Sequence, residues 1–172
     1  MLDSDLQSVT RADAGETTAL GQILLQLNNA NAQELSWLQP EQLEHLIEQS
    51  FLARRIGHVD AFLLALDQDA KYSSPNFQWF RTRYSRFVYV DRIVVASSAR
   101  GRGCARRLYR DLFEHAIEAG HAQVFCEVNI SPPNPTSDAF HAASGFVEVG
   151  TASVHRGSRT VRYLSHTLRT VS

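Results

Sequence analysis

The chain has 172 residues, 44% of them hydrophobic and 20% charged, with a formal net charge of -1. That length fits one domain with a single core, and the balanced charge excludes a general nucleic-acid binder, which carries a basic excess. The acidic start Met1-Leu2-Asp3-Ser4-Asp5 has no apolar run behind it, and no stretch is long enough to cross a bilayer, so neither export nor membrane insertion is expected and a cytoplasmic location is.

Leu6 to Arg11 reads as a short first strand. Asp13 and Glu16 have the spacing of a capping box, so a helix is expected to start at Asp13 and to carry Leu20, Ile23, Leu24 and Leu27 on one face. It should end near Asn28-Asn29, because asparagine tolerates the left-handed turn that closes helices. Pro40 opens a second helix with Leu43, Leu46 and Ile47 on its apolar side. Strands are expected near Leu52 to Ile56 and Ala61 to Leu66. The connection from Asp67 to Arg86 is long and rich in aromatics, which marks a functional segment.

Phe87 to Val95 is the strongest strand pattern and Gly103 to Ala119 the strongest helix. A strand at Val124 to Val128, a short helix at Pro135 to Ala143, and strands at Phe146 to His155 and Thr160 to Thr167 complete the chain. The order predicts a mixed α/β fold around one sheet. Cys104 and Cys126 form no CxxC pair and lack metal-spaced histidines, so free thiols and no metal are expected. Asn129-Ile130-Ser131 matches a glycosylation sequon, read as accidental without a secretory signal.

The informative segment is Val94-Val95-Ala96-Ser97-Ser98-Ala99-Arg100-Gly101-Arg102-Gly103-Cys104-Ala105. A buried strand enters a glycine-bearing turn that opens into a helix. The first N–H groups of a helix lack internal partners, and the helix dipole adds positive charge there. Glycine lets a phosphate approach the backbone, and Arg100 and Arg102 can add charge-assisted contacts. A Walker loop is absent, since no Gly-Lys-Ser/Thr follows. The dinucleotide fingerprint fails because Arg106 stands where its third small residue belongs.

What remains resembles the GNAT N-acetyltransferase pattern Arg/Gln-x-x-Gly-x-Gly/Ala, met by Arg100, Gly103 and Ala105. The segment Asn134 to Phe146 resembles that family's second motif, with Asn134, Ser137, Gly145 and Phe146 in matching positions. The flanks look most like bacterial members described only as acetyltransferases without an assigned substrate.

The resemblance implies a GNAT fold over residues 1–172: a central twisted mixed sheet of about six to seven strands flanked by about four helices. It implies acetyl-CoA as co-substrate and direct acetyl transfer to a primary amine of a small molecule or peptide. The cofactor would meet Ile93, Val94, Val95, Arg100, Gly101, Arg102, Gly103, Cys104, Ala105, Asn134 and Phe140. In the family the strand before the turn splays from its neighbour at a bulge, and Ile93 and Val95 would offer it backbone contacts. One position departs from the pattern: His141 stands where a tyrosine usually protonates the leaving thiolate.

The chemistry needs a base for the amine, a donor for the carbonyl oxygen and an acid for the thiolate. Asp91 and Glu127, both on strands beside the cleft, are the candidate bases, with sheet-surface ion pairing as the alternative for each. His141 is the candidate acid by position, and its ordinary pKa near ~6.5 suits that work. Tyr109 and Tyr163 are weaker alternatives, Tyr109 because it lies on a packing stripe. A Cys126–His141 nucleophilic pair is discounted, since no electropositive turn lies near Cys126.

By resemblance, the first two helices and the loop before the central strand wall the acceptor side. Asn28, Asn31, Glu34, Trp37, Asn76 and Trp79 are the candidates there, with helix capping, core packing or homodimer contact as the alternative. Arg106, Arg107 and Arg110 read as a solvated helix face. The rival functions are a catalytically silent acyl-CoA-binding sensor and an interaction domain that has lost the cofactor.

Overall fold

The computed structural model describes residues 5–169. Seven strands form one sheet in the order β1-β2-β3-β4-β5-β7-β6. They are β1 (Leu6–Ser8), β2 (Leu52–Ile56), β3 (Ala61–Asp67), β4 (Val88–Val95), β5 (Gln123–Ser131), β6 (Val147–Val154) and β7 (Arg159–Thr167). Every neighbouring pair is antiparallel except β4 and β5. Five α-helices accompany them: α1 (Ala19–Ala30), α2 (Pro40–Gln49), α3 (Pro75–Arg81), α4 (Cys104–Glu118) and α5 (Pro135–Ala143). The mixed α/β expectation holds. The helix beyond the expected four is α3, inside the aromatic-rich segment read as a long connection.

The start of α1 also differs from the sequence reading. Asp13 belongs to a capping box with Thr10 around a short 3-10 turn, Arg11–Ala14. The N-cap of α1 is Thr18, whose Oγ1 accepts from the Gly21 N–H at 3.0 Å. Two capping signals sit eight residues apart, and the apolar periodicity does not choose between them.

The helices cover both faces of the sheet. Leu108, Leu112 and Ala116 of α4 pack with Leu63, Ala65, Val88, Val90, Val124 and Val128 on one face. On the other face Leu24 of α1 and Leu43 and Leu46 of α2 pack on Phe62, Leu64 and Val94. Phe77 and Phe80 of α3 pack there with Tyr89, Phe125 and Tyr163. β3 is buried on both faces, which explains its unbroken apolar run Ala61 to Leu66.

One buried polar link ties α1 to the sheet. Arg92 of β4 donates to Asn28 Oδ1 at 2.7 Å, and Asn28 is fully buried. Asn28 Nδ2 donates in turn to the Ser36 carbonyl at 2.9 Å. Losing that side chain leaves a buried guanidinium N–H and a carbonyl without this partner. Asn28→Ala is therefore expected to destabilise the fold by about 1–3 kcal/mol, measured by urea unfolding; an unchanged midpoint at unchanged slope refutes this.

Candidate active site

The site begins where sheet pairing stops. β4 and β5 pair only at Val88 with Val124 and at Tyr89 with Phe125. Beyond those pairs β4 keeps its ladder to β3 as far as Val95, and β5 keeps its ladder to β7 as far as Ser131. The inner edges of residues 90–95 and 126–131 thus face each other without a ladder, and their backbone groups must find other partners. The parting coincides with a bulge. The β3 register steps from Ala65 opposite Val90 to Leu64 opposite Arg92, which leaves Asp91 unpaired. A cleft of about 1100 Å³ runs between the parted strands.

At one end of the cleft lies a ledge of main chain. Gly101 and Gly103 have φ of +76° and +77°, a region that strains residues bearing a Cβ. A Cβ built on either would meet no atom within 4 Å, so the space above both is open. Gly103 is the N-cap of α4, and no side chain caps that helix. The first N–H groups of a 15-residue helix are left for an anion, with the helix dipole behind them.

Ile93, Val94, Val95, Arg100, Gly101, Gly103, Cys104, Ala105, Asn134 and Phe140 all line the cleft, as does Arg106. Arg102 does not; it pairs with Asp60 at 3.3 Å instead. Asn134 also caps α5, accepting from the Ser137 N–H at 3.2 Å. An open diphosphate ledge beside two unpaired strand edges fits the phosphates and the amide-bearing arm of coenzyme A.

On the face covered by α1 and α3, the two candidate carboxylates differ sharply. Asp91 pairs with Arg92 at 2.7 Å, and both side chains are buried. Its charge is committed to that pair. Among the described residues Glu127 has no cationic partner within ion-pair distance. It accepts from Tyr89 Oη at 2.8 Å and from Asn76 Nδ2 at 3.1 Å. Burial, followed by the Asp91 charge, pushes Glu127 up to about 8, against those two hydrogen bonds, which pull downward. A carboxyl held there can exchange a proton near neutrality.

On the α4 face the neighbours of His141 fix its tautomer. His141 lines the cleft but is 4% exposed, and burial lowers its pKa. Its Nδ1 lies 2.7 Å from the Ser137 carbonyl, which can only accept, so that nitrogen carries the proton. Its Nε2 is then an acceptor, and Tyr109 Oη donates to it at 2.7 Å. The neutral ring has no proton to give toward the cleft. Tyr109 is buried and lines the cleft, as does Cys126, whose thiol burial pushes well up. Tyr109 is at once a core residue and a site residue, which its position on a helical stripe does not reveal.

Among the acceptor candidates, Asn31, Glu34 and Asn76 line the cleft, and Asn28, Trp37 and Trp79 do not. Asn28 is locked to Arg92. Trp37 is 64% exposed. Trp79 stacks on Tyr163 at 4.2 Å and lies so close to Gly150 that a Cβ there would sit 2.6 Å from its ring. Tyr163 donates to Asn76 Oδ1 at 2.9 Å, behind Glu127. The sequence reading missed Tyr72, Asn129 and Arg159, which also line the cleft. Tyr72 falls in the aromatic segment already marked as functional; Asn129 and Arg159 carry no local signal.

Comparison with known proteins agrees with this geometry. A family model described as the acetyltransferase (GNAT) family matches residues 22–146. Ribosomal-protein-alanine N-acetyltransferase from Brucella melitensis is 21% identical, with a TM-score of 0.66 over 95% of this chain and 99% of that one. The structure of yncA from Salmonella typhimurium, solved with its cofactor acetyl-CoA, is 14% identical, with a TM-score of 0.68 over 97% and 95%. Ard1 from Thermoplasma volcanium is 14% identical, with a TM-score of 0.71 over 96% and 97%. No curated protein matches the sequence. No helix among the described residues is long and apolar enough to cross a membrane, and these residues contain no group of three or more His, Cys, Asp or Glu placed to hold a metal ion. The family match spans more than half of the chain and agrees with the parted strands and open ledge: the protein belongs to the GNAT family of acetyltransferases.

Proposed function

We propose that this GNAT acetyltransferase moves the acetyl group of acetyl-CoA directly to a primary amine of a small molecule or peptide. The observation that carries the reading is the cleft between β4 and β5, with the phosphate ledge at one end and Glu127 facing it from the opposite side of the sheet. Bound acetyl-CoA supplies an activated thioester carbonyl to which an amine can add.

The residues divide the remaining work. The ledge at Gly101 to Ala105 holds the diphosphate, with Arg100 and Arg106 beside it. Glu127 takes the proton that an alkylammonium, with a pKa near ~10.4, must lose. Tyr109 lies on the thiol side. Rotation about its C–O bond turns the hydroxyl hydrogen from His141 Nε2 toward the cleft, where it stabilises the departing sulfur. His141 holds that hydroxyl in place and is a positioning residue. Two similar structures are named for the acetylation of a ribosomal-protein alanine, which keeps a peptide amine among the acceptors to assay.

The second reading, a silent acyl-CoA sensor, draws on the protonless Nε2 of His141. Thiol release from acetyl-CoA across an amine panel decides between the two: release supports the enzyme, whereas binding without release supports the sensor.

The ledge can be tested separately. Asparagine tolerates the left-handed region, so Gly103→Asn should fold while its side chain covers the ledge. Calorimetry is expected to show coenzyme A binding to the parent and none to the variant; equal affinity removes the ledge from the model of binding.

Glu127 makes a pH prediction. As a base it acts when ionised, so kcat/KM should rise with pH through about 8. Glu127→Gln is expected to lower kcat by about 10²-fold or more and to abolish that limb. Stability gives a second readout. The unfolded chain ionises this carboxyl near ~4.3, whereas the fold keeps it protonated up to about 8. Glu127 therefore favours the fold at low pH, and that contribution is lost as pH rises through about 8. The glutamine variant should lack this loss in thermal melts; a melting profile identical to the parent's contradicts the assignment.

For the thiol side, Tyr109→Phe should lower kcat with little change in the KM for acetyl-CoA, and His141→Ala should lower it less. Turnover equal to the parent's in Tyr109→Phe from about pH 6 to 9 removes the phenol from the mechanism.

A further inference from the structure

The two strands that part at Val90 and Cys126 are joined again farther along, by the loop that follows α1. On the β4 side, Arg92 reaches Asn28 Oδ1 at 2.7 Å and Ser36 Oγ at 3.4 Å, and Asn28 holds the Ser36 carbonyl at 2.9 Å. On the other side, Arg159 at the start of β7 donates to the carbonyls of Leu35 at 2.6 Å, Gln33 at 2.8 Å and Ala32 at 3.3 Å. Asn129 of β5 donates to the carbonyl between them, that of Glu34, at 3.3 Å. Four consecutive loop carbonyls are thus held by side chains about a hundred residues away in sequence.

The consequence is a closed rim. The gap between β4 and β5 is bounded at one end by the last sheet pairs, Val88 with Val124 and Tyr89 with Phe125, and at the other by this loop. Glu34, Leu35 and Ser36 line the cleft from the loop, and Arg159 and Asn129 line it from the far wall. None of these residues belongs to the phosphate ledge. An acceptor that approaches Glu127 from the α1 and α3 face has to pass inside the rim. On its β5 and β7 side the rim is held by one guanidinium and one amide, which open more easily than the sheet pairs at the other end.

We infer that Arg159 is a specificity-determining positioning residue: by pinning Ala32, Gln33 and Leu35 it holds the loop after α1 as a strap over the parted strands, and the strap sets how bulky an acceptor amine can be. The inference rests on the acetyl-transfer reading for the identity of what passes under the strap. Arg159 touches neither reacting group, so its effect falls on the choice between acceptors and not on acetyl-CoA.

The test uses the full chain and two probe amines, unbranched n-butylamine and the ring-bearing cyclohexylamine, followed by thiol release. Arg159→Ala is expected to raise the cyclohexylamine to n-butylamine ratio of kcat/KM by roughly tenfold, with the KM for acetyl-CoA unchanged. Arg159→Lys keeps the charge but loses the planar fork, so it should restore the parent ratio only in part. A ratio in Arg159→Ala equal to the parent's overturns the inference. If the parent releases no thiol with either amine, the acetyl-transfer reading fails, and amide hydrogen exchange then tests the strap alone. Faster exchange of residues 31–36 in Arg159→Ala than in the parent supports the strap; equal exchange overturns it.

Discussion

The molecule depends on a sheet that is deliberately incomplete. Parallel strands gain evenly spaced hydrogen bonds for as long as they stay adjacent, yet β4 and β5 give up theirs after two residue pairs. The cost is contained because each strand keeps its outer neighbour, β3 or β7, along its length. Only one edge of each is left open, and that edge becomes a binding surface with donors and acceptors already aligned. The Asp91 bulge fixes where the parting starts. It also brings Asp91 and Arg92 together as a buried pair, so the charge that enters the interior with the bulge is neutralised on the spot.

That pairing decides the roles of the two carboxyls. Asp91 is held by Arg92, and its charge in turn acts on the unpaired Glu127. In the proposed mechanism Asp91 is structural and Glu127, pushed up to about 8, is the base. On the opposite face the same economy applies to Tyr109 and His141. The Ser137 carbonyl sets the imidazole tautomer, and the tautomer sets the direction of the phenol hydrogen. A histidine at a position where the family pattern has tyrosine does not remove the phenol from the site; α4 supplies one from Tyr109.

Much of this was legible in the sequence where the signal is local. The strand, the glycine turn and the helix from Phe87 to Ala119 stand as read, because an apolar run, two glycines and a helical stripe are each decided within a few residues. The Pro135 to Ala143 helix is bounded by its own asparagine cap and Gly145. What escaped is what distant segments assemble. Nothing near Arg159 says that it will hold the carbonyls of residues 32, 33 and 35. Trp37 and Trp79 have the same chemistry on paper, but one is solvent-exposed and the other fills the space that Gly150 leaves. The helical stripe places Tyr109 in the core, and it is there; its ring packs while its hydroxyl meets His141 at the cleft wall.

In the proposed mechanism the two faces of the sheet therefore carry different halves of the reaction. The ledge, Cys126, Tyr109 and His141 belong to the α4 and α5 side, and Glu127, Asn76, Asp91 and the strapped loop belong to the side of α1 and α3. The gap left by the missing ladder joins them. Such a division lets the acceptor wall change without disturbing the phosphate ledge, since no side chain of the strap contributes to it. It also explains why the cofactor motif is readable in six residues while the acceptor is not: a diphosphate is recognised by main chain in one turn, whereas an amine is selected by a rim whose parts lie from residue 28 to residue 159.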